Sequence, residues 1–169
     1  AVNDAVSGAN RSIAAATMSS FSSWGPSDDG RIKPDIVANG VNLTSPVNTG
    51  STAYDSYSGT SMATPSASGS AALLVELYAR EFAGKLMRAS TLKALLIHTA
   101  DDLGTAGPDY QNGWGLINTK AAADVILEHS EFGANSPRII EASVSSATSS
   151  RTYTFGWDGA SPIRATLVW

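Results

Sequence analysis

The sequence predicts a mixed α/β protein, because three kinds of pattern follow one another along its 169 residues. Residues 1–60 are rich in Gly, Ser, Asn and Pro, and they hold short apolar runs at 36–38 and 41–43, a pattern typical of short strands joined by loops. Residues 61–128 contain three stretches of helical character. Beyond residue 137 apolar and polar side chains alternate, which predicts β strands.

The first helical stretch begins at Ser61 and contains no charged residue before Glu76. A helix that is apolar on all sides is normally buried, so residues Ser61 to Val75 are predicted to form a central buried helix. The charged residue Glu76 marks where this helix should meet solvent. Gly84 is predicted to end it, since glycine favours the conformation that terminates helices.

Two further helices are predicted from their capping residues. Ser90 and Asn118 are residue types that accept hydrogen bonds from free N–H groups at a helix start. The third helix is expected to run from Thr119 to Glu128, because its apolar side chains then line one face. Residues 113–117 between these helices predict a short strand or hairpin.

The composition excludes several classes of function. The net charge of −4 and the pI near 5.0 argue against nucleic acid or an anionic membrane as a partner. The absence of cysteine excludes disulfides, thiol catalysis and cysteine-bound zinc. No apolar run reaches transmembrane length. With 43% apolar and 15% charged residues, the chain is expected to be globular.

Residues 59–65 carry the strongest chemical signal, with the sequence GTSMATP. A serine hydroxyl is a weak nucleophile that must be held still and activated by a base. Ser61 would lie at a helix N-terminus, among unpaired backbone N–H groups and near the positive end of the helix dipole. Such N–H groups can bind the oxyanion that forms when a carbonyl is attacked. Ser61 is therefore the candidate nucleophile.

This heptapeptide resembles the nucleophile signature of the subtilisin-like serine peptidases, and four further stretches resemble the family in the same order. They are FSSWGP at 21–26, KPDIVANG at 33–40, LLIHTA at 95–100 and YQNGWGLIN at 110–118. Asn39 stands where the family usually has proline. The resemblance covers most of residues 1–128.

The resemblance implies a parallel α/β sheet with helices on both faces, in which Ser61 begins the central buried helix. It also implies that Thr60 lines the oxyanion hole, that Gly59 allows a close approach of substrate, and that Ser58 faces the leaving-group side. Ser58 is equally well explained as a turn residue that shapes the loop. The family's catalytic His and Asp and its oxyanion Asn have no counterpart in these residues, so they are expected elsewhere in a longer parent chain.

The domain organisation follows from the same resemblance. Residues 1–129 correspond to the C-terminal portion of a subtilisin-like peptidase domain, and 130–137 to a linker. Residues 138–169 resemble the first strands of the β-sandwich domain that some subtilisin-like peptidases carry, truncated here. The parent is expected to be a secreted enzyme that acts on polypeptides, without nucleic-acid or membrane partners and without a cofactor for catalysis. Structural calcium is common in the family, but no ligand residue can be assigned.

Competing interpretations of single residues are weaker. A lipase-type elbow needs glycine two residues to either side of the serine; Gly59 fits and Ala63 does not. His98 and His129 lie near helix ends, where a polar or positive group is favourable, and neither stands in a catalytic motif. The acidic pairs at 28–29 and 101–102 lack the spacing of a calcium loop and are better explained as solvated turns.

Two alternatives to a peptidase role stay open for the chain by itself. Without a base, an orienting acid and the oxyanion asparagine, it would be a catalytically inert fragment. The strands after Pro137 would also fit a stand-alone binding or structural module. An upstream histidine and aspartate in subtilisin-like contexts would decide for an active parent peptidase.

Overall fold

The computed structural model describes residues 1–3, 6–7, 10–135 and 137–169. These residues form a mixed α/β structure, in which three helices and two small antiparallel sheets are described. The strands are β1 (Val6–Ser7), β2 (Asn10–Arg11), β3 (Leu43–Pro46) and β4 (Tyr54–Tyr57); a 3₁₀ turn spans Ile13–Ala15, and the helices are α1 (Thr60–Glu81), α2 (Ala89–His98) and α3 (Thr119–Phe132). Among the described residues, no helix has the length and apolar character needed to cross a bilayer.

Five extended segments lie side by side in a row, and the first turn of α1 packs against this row. Their order is set by single bridges, with Met18 beside Val2, Val2 beside Asn39, and Leu116 between Val37 and Asp101. The two central bridges are parallel and the two outer ones are antiparallel. The expected parallel sheet is thus present as a row of bridges rather than as long strands.

The hydrophobic core has two main parts. One lies against the row of extended segments, and its buried side chains are Val2, Val37, Leu103 and Leu116. The other lies between the three helices, and its buried side chains are Leu74, Tyr78, Leu95, Ala122 and Ile126. Fully burying a Leu or Ile side chain contributes about 1.5–3 kcal/mol to the stability of the fold. The helical core therefore holds α1, α2 and α3 together.

Within this chain α1 is buried on part of its surface only, and its complete burial stays a prediction for a longer parent chain. Leu74 and Tyr78 are buried, but Leu73 is 63% exposed and Ala72 is exposed as well. Within the described part of the chain, α2 and α3 pack against α1 around Leu74 and Tyr78. A lack of charge permits burial, whereas burial itself depends on which elements pack against the helix.

The predicted helix ends are correct in part. Asn118 caps α3 as predicted, because its side-chain oxygen accepts a hydrogen bond from the N–H of Ala121 at 3.0 Å. This helix continues past Glu128, since no residue stops it before Gly133. The helix α1 ends at Glu81, before the predicted Gly84; the residue after its C-cap, Ala83, already has a φ of 52°, and Gly84 follows with a φ of 82°.

The predicted cap of α2 is wrong. The helix begins at Ala89, with Arg88 in the capping position and no side-chain cap. The first turn of α2 instead receives the carboxylate of Glu141, which accepts a hydrogen bond from the hydroxyl of Thr91 at 2.5 Å. A negative charge at this end of a helix is favourable because it faces the positive end of the dipole.

The strands predicted at residues 153–157 and 163–169 are not formed. No strand occurs among residues 137–169, and the aromatic side chains of Tyr153, Phe155 and Trp157 are exposed. A strand needs a neighbour that pairs with its N–H and C=O groups, and the described residues place none beside this segment. Part of the predicted linker belongs to α3, which ends at Phe132, while Ser136 lies outside the described residues. The assignment of 138–169 to a second domain stays a prediction.

Glu141 fastens the segment after α3 to the helices. Its carboxylate forms ion pairs with Lys85 at 3.1 Å and Arg88 at 3.4 Å, and its side chain is only 11% exposed. Burial by itself raises the pKa of Glu141, but the hydrogen bonds from Thr91 and Lys85 and the positive charges of Lys85 and Arg88 outweigh burial and lower it. The folded protein therefore favours the ionised carboxylate.

We expect Glu141→Gln to lower the free energy of unfolding by about 1 kcal/mol at pH 7. Because the folded-state pKa is depressed, the wild-type advantage is complete above the ordinary value of 4.5 and is lost as the pH falls through the folded-state pKa. Urea unfolding at pH 7 and at about pH 3 measures both effects. Glu131→Gln, at an exposed position on α3, is the matched control. A difference between Glu141→Gln and wild type that persists unchanged in acid would contradict the ionic contact.

Candidate active site

Ser61 is the second residue of α1 and is exposed to solvent. It follows the loop that leaves β4 at Tyr57. This loop delivers Ser61 to one end of the row of extended segments, where Gly59 donates a backbone hydrogen bond to Gly40 at 2.8 Å. The nucleophile predicted from the sequence therefore lies on the surface at the start of a helix.

Among the residues that the structure describes, no side chain caps the N-terminus of α1. The N–H groups of Met62 and Ala63 both donate to the carbonyl of Gly59, at 3.0 and 3.2 Å. The N–H groups of Thr60 and Ser61 have no acceptor among the described residues. Two free donors next to an exposed serine hydroxyl are suited to bind an oxyanion, because they need not break another bond first.

The hydroxyl of Ser61 differs from three other hydroxyls in the first turns of α1. Thr64, Ser66 and Ser70 each donate to the carbonyl four residues earlier, at 3.0, 3.1 and 3.0 Å. Such bonds within the helix occupy the hydroxyl proton. Ser61 makes no such bond with the described residues, so its hydroxyl is available for a base and a substrate.

The other predicted site residues lie directly before Ser61. Thr60 is the first residue of α1 and is exposed, and Gly59 occupies the capping position with extended backbone angles. A side chain at Gly59 would meet Met62 at 3.4 Å, an ordinary contact, so the structure gives no steric reason for glycine there. Ser58 is exposed and exchanges hydrogen bonds with Asn42.

Small residues allow the first turn of α1 to pack closely against the row of extended segments. A buried cluster lies where the first turn of the helix contacts the row of extended segments; it consists of Ala1, Ala38 and Ala63. Gly40 has no room for a side chain, since a Cβ there would lie 2.6 Å from the carbonyl oxygen of Gly59 and 2.9 Å from the Cβ of Ala63. The position of the Ser61 segment is therefore fixed by backbone in direct contact with backbone.

Neither histidine contacts Ser61. The Nδ1 atom of His98 lies 3.0 Å from the hydroxyl of Thr166, and burial, followed by the charge of Arg164, lowers the pKa of His98. His129 packs against Phe82, and its pKa is lowered chiefly by burial. Both side chains have structural partners, and their assignment as non-catalytic stays a prediction.

One carboxylate of each acidic pair is bonded within the protein. Asp29 binds Ser27 and Arg31, while Asp101 binds Arg11 and Asn118. Within the described part of the chain, no three or more His, Asp or Glu side chains converge as metal ligands would. These carboxylates already have partners in the protein.

An open groove between α1 and α3 is separate from the site. It is lined by residues that include Leu73, Leu77 and Ala123. With a rise of 1.5 Å per residue, Leu73 lies about 18 Å along the helix from Ser61. The groove is therefore too far away to hold the bond that Ser61 would attack.

Sequence reasoning missed Asn42 and the tight contact at Gly40. Gly40 lies in the stretch 33–40 that resembles the family, but the close approach of two backbone segments produces no recognisable pattern in the sequence. Asn42 lies in the loop that enters β3, and its partner Ser58 is 16 residues away. No local signal in the sequence links the two.

The structure thus places an exposed serine at the start of a helix within a mixed α/β fold. Residues 5–115, well over half of the chain, match the sequence model of the Subtilase family. The chain belongs to this family.

Individual proteins that are similar to this chain are proteases as well. Bacillopeptidase F of Bacillus subtilis is 36% identical over 115 residues, which covers 66% of this chain and 8% of the relative. The extracellular serine protease of Serratia marcescens is 41% identical over 69 residues, 41% of this chain and 6% of the relative. The solved structure of the CspB protease of Clostridium perfringens is 31% identical with a TM-score of 0.54, and the match covers 61% of this chain and 22% of that one. The chain thus spans less than a tenth of the curated relatives described.

Proposed function

We propose that this chain carries the nucleophile of a serine endopeptidase, with Ser61 attacking the scissile carbonyl of a polypeptide. One observation supports this most directly. Ser61 has a hydroxyl and two neighbouring backbone N–H groups without partners among the described residues, within a segment that matches the Subtilase family. The hydroxyl would attack, and an N–H of the first turn would bind the resulting oxyanion.

The base belongs to another part of the parent protein in this proposal. A histidine outside these residues would take the Ser61 proton and later return it to the leaving amine, while an aspartate orients that histidine. An asparagine outside these residues would supply the second oxyanion donor. This part of the proposal rests on the two histidines of the chain, which have other partners. His98 is hydrogen-bonded to Thr166 and His129 packs against Phe82, and neither contacts Ser61. The 169-residue chain by itself is then inactive.

Substrate and location follow from the family and its relatives. We propose a polypeptide substrate and no cofactor in the chemical step, since a triad and an oxyanion hole suffice for acyl transfer. Secretion of the parent is supported by one relative that is named an extracellular serine protease. Ser58, Gly59 and Thr60 would contact the substrate on either side of the attacked bond.

A fluorophosphonate probe tests the proposal, because it reacts only with an activated serine. In the full-length protein it should label Ser61 alone, as located by peptide mass spectrometry. The isolated 169-residue chain should stay unlabelled, since no base reaches its serine. Ser66→Ala is the matched control, because the Ser66 hydroxyl is already bonded to the carbonyl of Met62, and it should leave labelling intact. Labelling at another serine, or labelling of the isolated chain, would contradict the proposal.

A further inference from the structure

Asn42 and Ser58 form a closed pair of hydrogen bonds beside the candidate nucleophile. The backbone N–H of Asn42 donates to the Ser58 hydroxyl oxygen at 2.9 Å. That hydroxyl donates in turn to the side-chain oxygen of Asn42 at 3.2 Å. One residue therefore supplies both a donor and an acceptor to the same hydroxyl, which fixes the orientation of Ser58 as well as its position.

The backbone of Asn42 suits this task. Its φ is 54°, in the left-handed region that asparagine tolerates better than most residues. This conformation lies at the bend between Gly40 and the start of β3 at Leu43. Gly40 holds Gly59 through its carbonyl at 2.8 Å. The loop 40–42 thus anchors the two consecutive residues that precede α1.

The anchored residues come immediately before the free donors. Thr60 and Ser61 follow Gly59 directly, and their N–H groups have no acceptor among the described residues. Their direction therefore depends on how the preceding residues are held. Oxyanion donors stabilise a transition state only when they are already aimed at the position where the charge develops.

We infer that Asn42 is a positioning residue for the reaction, which acts through Ser58 to aim the N–H and hydroxyl groups of Ser61. This inference rests on the proposed function of Ser61. Asn42 itself does not touch the reacting atoms. Without the side-chain oxygen of Asn42, the Ser58 hydroxyl would keep only the bond from the backbone N–H of residue 42, so the segment before α1 would occupy more orientations, of which only some are productive.

The test compares kcat and KM of full-length variants on a peptide substrate. Asn42→Gly keeps the left-handed backbone accessible and removes the side-chain acceptor. We expect kcat to fall about tenfold while KM changes less than about twofold, because the lost interaction matters mainly in the transition state. Asn42→Asp keeps an acceptor oxygen and should restore kcat to within about threefold of wild type.

Two further variants separate positioning from loss of structure. Asn48→Gly makes the same change in the turn that joins β3 and β4, and it should leave kcat within about twofold. Ser58→Ala removes the shared hydroxyl, and adding Asn42→Gly to it should cost little more, since two residues that act as a unit are not additive.

The outcomes distinguish this inference from the proposed function. An unchanged kcat in Asn42→Gly, in an enzyme whose turnover Ser61→Ala abolishes, would overturn the inference alone. Equal losses in Asn42→Gly and Asn48→Gly, or additive losses with Ser58→Ala, would also overturn it. A wild type with no turnover that depends on Ser61 would refute the proposed function, and with it this role of Asn42.

Discussion

Ser61→Ala in the full-length enzyme should lower kcat for peptide hydrolysis by roughly 10⁶, a magnitude that rests on measurements in subtilisin, a member of the same family. The alanine has no hydroxyl, so no acyl-enzyme can form. The backbone N–H groups of Thr60 and Ser61 stay in place, and a residual rate above that of water is therefore expected. Single-turnover measurements with a chromogenic peptide, together with thermal melting, check both statements.

Stability should change little in this variant. Ser61 is exposed and its hydroxyl makes no bond within the described structure, so alanine should shift the melting temperature by no more than about 2 °C. Ser70→Ala provides a matched change in the same helix, at a hydroxyl bonded to the carbonyl of Ser66. It should retain full activity. If Ser61→Ala retained full turnover, Ser61 could not be the nucleophile.

The second large effect is expected at Gly40. A Cβ at this position would lie 2.6 Å from the carbonyl oxygen of Gly59, closer than such contacts occur, so the two segments must separate. Because that carbonyl accepts from Met62 and Ala63, the first turn of α1 would move with it. Gly40→Ala should therefore lower kcat/KM by up to about 100-fold and the free energy of unfolding by about 1–3 kcal/mol.

The hairpin supplies the control for this change. A Cβ at Gly50, in the turn between β3 and β4, would meet only the Cβ of Ala53 at 3.7 Å, an ordinary contact. Gly50→Ala should leave both quantities close to wild type. Activity and urea unfolding of the two variants, measured side by side, test the expectation. If Gly40→Ala behaves like Gly50→Ala, the segment before Ser61 is not held by the close contact described here.

The sequence predicted those features that depend on neighbouring residues. The start of α1 near Ser61 follows from a short motif and the uncharged run behind it. The cap of α3 by Asn118 involves residues three positions apart, and it is confirmed. The mixed α/β class is confirmed too, because strand and helix patterns are both local properties.

Features that depend on distant partners could not be predicted. The start of α2 is stabilised by Glu141, whose partner Thr91 lies 50 residues away. The exposure of Leu73 depends on which elements pack against α1. Alternation at residues 153–157 shows a capacity to form a strand, but the strand requires an edge to pair with. The contact of Asn42 with Ser58 belongs to the same group.

The segment after α3 has a mechanical consequence for the candidate active site. It touches α2 near both ends, through Glu141 on Thr91 and through Thr166 on His98. Ser61 is braced from elsewhere, by the alanine cluster under the first turn of α1. A force applied at the C-terminal end of these residues is therefore borne by α2 and its ion pairs. The helical core passes such a load to α1 at Leu74 and Tyr78, whereas Ser61 lies in the first turn of that helix, next to the alanine cluster.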